Sequence, residues 1–76
     1  MIKEIINYIK DDKFKIVYVN NSVDVINYDN IMEVKSDVIT IEKEKKLILI
    51  KGEELKLDKL LDNEILIRGL IKKIEL

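Results

Sequence analysis

Two stretches that share one pattern constrain the fold of this chain more than any other feature of its sequence. Residues 47–57 read LILIKGEELKL, in which a dense apolar run breaks at Lys51-Gly52 and resumes as alternating apolar and charged residues. Residues 64–76 read EILIRGLIKKIEL and break in the same way at Arg68-Gly69. Because glycine adopts backbone conformations that a residue with a Cβ atom avoids, each stretch predicts a strand, a tight turn and a second strand.

Apolar and polar residues alternate from Phe14 onward with a period of two, which is typical of β-strands. Phe14 and Tyr18 fall on one strand face and are expected in the core, whereas Ile26 and Tyr28 are expected on the face opposite to Val23. Asn30 is expected to take a left-handed conformation in a turn. The turns predicted in this part of the chain are Asn20-Asn21, Asp29-Asn30, Lys35-Ser36 and residues 42–46.

The turn signals Asn20-Asn21, Lys35-Ser36, Lys51-Gly52 and Arg68-Gly69 recur about every sixteen residues. We therefore predict an all-β fold of strand–turn–strand repeats of about sixteen residues. The repeats could form a small sheet or roll of hairpins, or a short β-solenoid with stacked rungs. Both arrangements leave sheet edges, and the lysines around residues 47–50 are interpreted as charges that prevent uncontrolled strand pairing. These lysines are Lys45, Lys46 and Lys51.

The first twelve residues follow a different period. Ile2, Ile5, Ile6 and Ile9 recur at the spacing of an amphipathic helix. The sequence therefore predicts a short N-terminal helix and connection over residues 1–12, followed by one β domain over residues 13–76. This helix is expected to cap an open end of the sheet, with a membrane-surface anchor as the alternative.

Length and composition narrow the range of functions. A core formed by 76 residues supplies only ~3–5 kcal/mol of net stability, so folds of this size often depend on a staple or a partner. The chain has no Cys and no His, which leaves oligomerisation as the available source of extra stability. No apolar run approaches the ~18 residues of a membrane span. We expect an unexported protein that forms a homo-oligomer.

The sequence offers little for catalysis. Asp11-Asp12 and Glu53-Glu54 are sequence neighbours, and on a strand their carboxylates would point to opposite faces. Ser22 and Ser36 have no histidine to activate them, and the two glycines form no phosphate-binding loop. We therefore predict that the protein is not an enzyme and has no cofactor. No catalytic, cofactor-binding or metal-binding residue is assigned.

A small β-barrel that binds nucleic acid is the alternative function. Such a protein needs a basic stripe interleaved with aromatic side chains. Here the chain has 14 basic and 15 acidic residues, acidic residues neighbour most lysines in the sequence, and Arg68 is the sole arginine. Nucleic acid is therefore the less favoured partner.

An Asn-Tyr step at Asn27 is followed in order by two Lys/Arg-Gly pairs, Lys51-Gly52 and Arg68-Gly69. With this ordered set, the chain from Phe14 to Leu76 resembles the YabP/YqfC family of sporulation proteins of endospore-forming Firmicutes, and the YqfC branch most. The family usually has Gly where Asn30 and Lys46 stand, so a different turn type is expected before Leu47. The similar segments are residues 25–28, 31–33, 37–41, 48–55, 64–69 and 71–75.

The resemblance implies a small non-enzymatic protein of the mother-cell cytoplasm during sporulation, located in part at the surface of the forespore or spore. It implies a structural, scaffold or adaptor role in forming the spore envelope or coat, through self-association or partner docking. A membrane protein of the same programme is the expected kind of partner. The resemblance carries over no catalytic residue, binding residue or cofactor.

Overall fold

The computed structural model describes residues 13–76, which form an all-β fold of six strands. No helix occurs among these residues, and the predicted helix over residues 1–12 lies outside them. The predicted all-β class is therefore confirmed for the described part of the chain. The strands are β1 (Lys15–Val19), β2 (Ser22–Ile26), β3 (Asn30–Val34), β4 (Val38–Lys43), β5 (Lys46–Leu60) and β6 (Glu64–Glu75).

The six strands form one open sheet in the order β1-β2-β6-β5-β4-β3. Every neighbouring pair is antiparallel, so residues 13–76 do not form the stacked rungs of a solenoid. The longest strand, β5, and the last strand, β6, lie at the centre of the sheet. Strands β1 and β3 form its two edges.

The connection between β2 and β3 requires the sheet to curl. From Ile26 to Asn30 the chain spans at most ~14 Å. In a flat sheet, β2 and β3 would be four strand spacings apart, or ~19 Å. The chain turns at Asn27, which has a left-handed φ of 65°, and the Asn27 N–H donates to the Asn63 carbonyl at 2.6 Å. The two outer regions of the sheet are therefore brought towards each other.

The sheet consists of two similar halves. We call strands β1, β2 and β6 the β1 half, and strands β3, β4 and β5 the β3 half. In each half, the second strand of a hairpin pairs with the first part of a long strand: β2 with residues 64–68 and β4 with residues 46–51. The Gly69 N–H donates to the Asn21 carbonyl and the Gly52 N–H donates to the Asp37 carbonyl, each at 3.0 Å. The repeated sequence pattern thus marks equivalent positions in the two halves.

The predicted turns at Lys51-Gly52 and Arg68-Gly69 are wrong, because β5 and β6 run through both glycines. The register between these strands instead shifts at three places, including Lys51/Gly52, as occurs at β-bulges. A Cβ atom on Gly52 would clash with the Leu70 carbonyl oxygen. Gly69 has a φ of 143°, and a Cβ atom there would lie 2.7 Å from the Glu54 carbonyl oxygen. Glycine is needed here for close backbone approach within bulged strands.

Three of the other predicted turns are confirmed. Asn20-Asn21 joins β1 to β2 with Asn20 at a φ of 53°, and Lys35-Ser36 lies between β3 and β4. Residues 42–46 contain the turn Glu44-Lys45, where both φ values are positive (52° and 66°), as in a type I′ hairpin turn. The chain also turns near Asp29-Asn30, but Asn30 begins β3, so its predicted left-handed role is wrong. The predicted repeat of about sixteen residues is also wrong, because two of its four turn signals, Lys51-Gly52 and Arg68-Gly69, lie inside strands β5 and β6.

The inner faces of both halves meet in one core. The cluster takes alternate residues from β2 and β6 in one half and from β4 and β5 in the other, and Leu55 lies at the bulge. Phe14 packs against this core, as predicted, and so does Tyr28, because the chain turns at Asn27 and reverses the expected face. Tyr18, in contrast, is 55% exposed. The clustered residues are Val23, Val25, Ile39, Ile41, Ile50, Leu55, Ile65 and Ile67.

Candidate functional site at the strand edges

Among residues 13–76, strand β1 lies at an edge of the sheet with no strand on its outer side, and its surface is apolar. Its five residues read KIVYV, and Val17, Tyr18 and Val19 are 45%, 55% and 55% exposed. Exposed side chains of this kind lie on both faces of the strand, since Tyr18 is on the inner side and the two valines are on the outer side. The single charged residue on the strand is Lys15. This edge lacks the charge density, proline or bulge that usually prevents strand pairing.

The pairing of β1 with β2 defines which backbone groups point away from the sheet. The register is unbroken from Lys15↔Ile26 to Val19↔Ser22, and a two-residue turn closes the hairpin. Hydrogen-bonded and non-hydrogen-bonded pairs alternate along an antiparallel ladder, starting with a bonded pair next to the turn. Val19, Val17 and Lys15 therefore bond to β2. The N–H and C=O groups of Ile16 and Tyr18 point outward, where another strand could pair with them.

Strand β3, at the other edge, is irregular. Its register with β4 shifts between Ile31 and Glu33, which leaves Met32 as an extra residue. Met32 and Val34 are 55% and 49% exposed, so this edge is apolar as well. However, a bulge interrupts the ladder, and Glu33 adds an exposed carboxylate that is paired with Lys35 at 3.3 Å. Bulges and charges are the features by which natural sheets prevent edge pairing.

The lysines predicted to protect residues 47–50 do not border an edge. These residues belong to β5, which pairs with β4 on one side and β6 on the other. The interpretation of Lys45, Lys46 and Lys51 as edge protection is therefore wrong. The Lys51 Nζ atom instead lies 3.2 Å from the Glu75 Oε2 atom on β6, and the hydrogen bonds from Lys73 and Lys51 lower the pKa of Glu75.

An acidic pair lies on the outer face next to β1. Asp24 pairs with Val17 in the β1–β2 register and alternates with two fully buried valines. Burial, then a hydrogen bond with the Glu64 carboxyl group and its negative charge, raises the pKa of Asp24 to about 6, and Lys59 opposes the rise. Two carboxylates bond to each other only if they share a proton. The buried Asp24 Oδ1 atom has no hydrogen-bond partner within residues 13–76.

No local pattern in the sequence predicts this acidic pair. Asp24 and Glu64 lie forty positions apart in the chain, and they come together because β6 pairs with β2. The alternation in residues 22–26 places Asp24 on the outer face but says nothing about its neighbours. Only the strand order could have predicted the pair.

The sheet also has two shallow depressions. One, of about 250 Å³, is lined by Tyr18 and by Ile71, Lys72, Lys73 and Ile74 of β6. The other, of about 480 Å³, is lined by the β2–β3 connection, the start of β3, Leu60 and the β5–β6 loop. Leu60 and Leu61 there are 61% and 55% exposed, and the Tyr28 hydroxyl group lies 3.4 Å from the Leu61 carbonyl oxygen. Neither depression brings together a set of reactive side chains.

The side chains considered for catalysis do not converge. Glu53 and Glu54 lie at the bulge of β5, where both are exposed and Glu53 pairs with Lys72. The Ser22 hydroxyl group donates to the Val19 carbonyl oxygen at 2.8 Å, and Ser36 lies in the β3–β4 turn. Asp11-Asp12 lies outside the described residues. Within residues 13–76, no group of three acidic side chains is placed to hold a metal ion.

The chain was compared with known proteins. It matches no protein-family model, no curated protein and no solved structure. In the part of the chain that the structure describes, no helix has the length and apolar character needed to cross a membrane.

Proposed function

We propose that the protein is a non-enzymatic sporulation protein that acts as a scaffold or adaptor in forming the spore envelope or coat. In this proposal it works through self-association or partner docking at the β1 edge. The sporulation role rests on the resemblance of residues 14–76 to the YabP/YqfC family. The mother-cell cytoplasm and the spore surface are the proposed locations, and a membrane protein of the same programme is a proposed partner.

One observation carries the edge mechanism. The β1 edge is regular, apolar on both faces and exposed, whereas the β3 edge is bulged and charged. Main-chain hydrogen bonds to an added strand supply affinity, and the alternating side chains supply specificity. An edge with outward groups at Ile16 and Tyr18 is suited to this mode of binding.

The test compares matched lysine substitutions on the two edges. Val17→Lys places a charge on the exposed outer face of β1, and Met32→Lys places the same charge on β3. Association is measured by sedimentation velocity over a concentration series and by pull-down from sporulating cells with tagged protein. We expect Val17→Lys to weaken association at least about tenfold, which corresponds to about 1.4 kcal/mol, and Met32→Lys to leave it unchanged.

Two outcomes would overturn this proposal. The first is a wild-type protein that stays monomeric and captures the same cellular proteins as Val17→Lys. This result would exclude the β1 edge as a binding site. Binding curves with single-stranded RNA and DNA at low salt are expected to be flat. Saturable binding that weakens with added salt would favour the alternative nucleic-acid function.

A further inference from the structure

Resting on the proposed function, we propose that the strand bound at the β1 edge is β1 of a second copy of this chain. The two strands pair antiparallel about a two-fold axis that passes beside Val17. The result is a closed dimer with one continuous sheet across both copies, and not a filament.

The backbone supports this register. Ile16 and Tyr18 direct their N–H and C=O groups outward, and they lie symmetrically on either side of Val17. With Val17 opposite Val17 of the second copy, Ile16 of each copy faces Tyr18 of the other. Each such pair can exchange two main-chain hydrogen bonds. No outward group between these residues is left without a partner.

The side chains are self-complementary in the same register. On the outer face, Val17 meets its own counterpart, and Lys15 lies opposite Val19 of the second copy. The two Lys15 side chains are then four residues apart along the strands, or ~13 Å, which exceeds the ~8 Å Debye length at physiological ionic strength. The two Asp24 carboxyl groups are three strand spacings apart, or ~14 Å. The pairing therefore brings no like charges into contact.

The difference between the edges limits assembly to two copies. A filament would need β1 of one copy to pair with β3 of the next, because repeated use of two different edges leaves the assembly open. The extra residue at Met32 interrupts the β3 ladder, and Glu33 would be brought into that contact. Pairing of β1 with itself uses the same edge on both copies and leaves only the protected β3 edges free.

The short edge also predicts the strength of the dimer. Five residues on each side form an interface smaller than the ~1,200 Å² that marks the lower end of stable protein–protein interfaces. We therefore expect a dissociation constant above about 1 µM. Detection requires a method that works at high protein concentration or that traps the dimer covalently.

Single cysteine variants of the full chain provide the trap, since the sequence contains no native cysteine. In Val17→Cys, the two thiols lie on a non-hydrogen-bonded pair with Cα atoms ~4.5 Å apart, within the range that a disulfide spans. In Val19→Cys, the same edge carries an equally exposed thiol, but its counterpart is ~13 Å away. Met32→Cys places a similarly exposed thiol on the other edge.

We expect mild oxidation to convert Val17→Cys to disulfide-linked dimer at least about tenfold faster than either control. Equal rates for Val17→Cys and Val19→Cys would overturn the register. Disulfide-linked dimers of Met32→Cys that form as fast as those of Val17→Cys would show that the β3 edge pairs as well, and would overturn the closed dimer. If Val17→Cys does not crosslink but Val17→Lys still abolishes capture of a cellular partner, the second copy is the wrong occupant and the proposed function stands. If Val17→Cys does not crosslink and Val17→Lys does not reduce capture of a cellular partner, the β1 edge has no binding role.

Discussion

The two halves of the sheet share a plan but differ at their outer strands. Each half has a hairpin, a long bulged strand and a glycine whose N–H donates to the hairpin turn. The β1 half ends in a regular apolar strand, and the β3 half ends in a strand with a bulge and an exposed ion pair. The two halves also differ at the middle of their second strands, where Asp24 and Thr40 occupy equivalent positions. The shared features stabilise the fold, and the differences identify the surface available for binding.

The largest expected effect comes from the glycines that the halves share. Placing a β-branched residue at either one, as in Gly52→Val or Gly69→Val, forces a Cβ atom against backbone oxygen atoms. We expect losses of about 3 kcal/mol, with Gly52→Val the worse of the two, because a Cβ atom there comes closer to a backbone oxygen atom. Urea denaturation provides the measurement. Unchanged midpoints in both variants would mean that these positions are not sites of close backbone approach.

Proline substitutions on β1 distinguish backbone N–H groups that point outward from those that bond to β2. Tyr18→Pro removes an outward N–H, whereas Val17→Pro removes an N–H that bonds to β2 and leaves a carbonyl group without its donor. We expect Val17→Pro to cost about 1–3 kcal/mol more in unfolding free energy than Tyr18→Pro. Tyr18→Pro should instead weaken association at least about tenfold.

Denaturation and sedimentation of the same two variants provide the measurements. Equal losses of stability would show that the inward and outward assignments along β1 are incorrect. Undiminished association of a folded Tyr18→Pro variant would separate the binding surface from the edge itself.

The difference between Asp24 and Thr40 predicts a dependence on pH. The folded state raises the pKa of Asp24 from 3.8 to about 6, so folding takes up a proton between these values and stability falls as pH rises through this window. Asp24→Asn supplies an amide that can donate to Glu64. We expect it to raise stability near neutral pH by about 1 kcal/mol and to have no such effect below about pH 4.

Thermal melts of Asp24→Asn across this pH range test the expectation. Thr40→Val, at the equivalent position of the other half, serves as the control and should show no dependence on pH in that window. A gain for Asp24→Asn that is the same at all pH values would argue against a shared proton.

The smallest expected effect concerns the ion pair on β3. Glu33→Gln removes an exposed pair whose side chains are 47% and 61% accessible, so stability should change by less than about 0.5 kcal/mol. The bulge at Met32 stays in place, and we expect the β3 edge to remain inactive in association. New oligomers of Glu33→Gln in sedimentation experiments would show that charge, and not the bulge, protects this edge.

The sequence predicted the strand class and several turns because these depend on neighbouring residues. Alternation identifies strands, and Asn20-Asn21 or Glu44-Lys45 mark hairpin turns by their local chemistry. The glycine breaks were misread because a turn and a bulge share the same local sequence. Gly52 is distinguished from a turn glycine only by Leu70, which approaches it across the sheet.

The candidate site depends on strand order, which local patterns do not report. The exposed valines of β1 read as ordinary strand residues until the sheet order identifies β1 as an edge. In the same way, residues 47–50 look like a vulnerable edge in the sequence, but all four pair with β4, and Leu49 and Ile50 also pair with β6. The proposed sporulation role rests on the resemblance to the YabP/YqfC family, and that resemblance does not identify the β1 surface.

The central position of β6 has a consequence for biosynthesis. Of the six strands, β6 leaves the ribosome last, yet it must insert between β2 and β5. Until residues 64–75 emerge, the described strands can form only a β1–β2 hairpin and a β3–β4–β5 meander, in which β2 and β5 each have an unpaired edge. Pairings between distant residues form slowly and expose edges while they form. The sheet is thus completed in a single late step, and a chain that stalls before that step presents β2 and β5 to any neighbouring nascent chain.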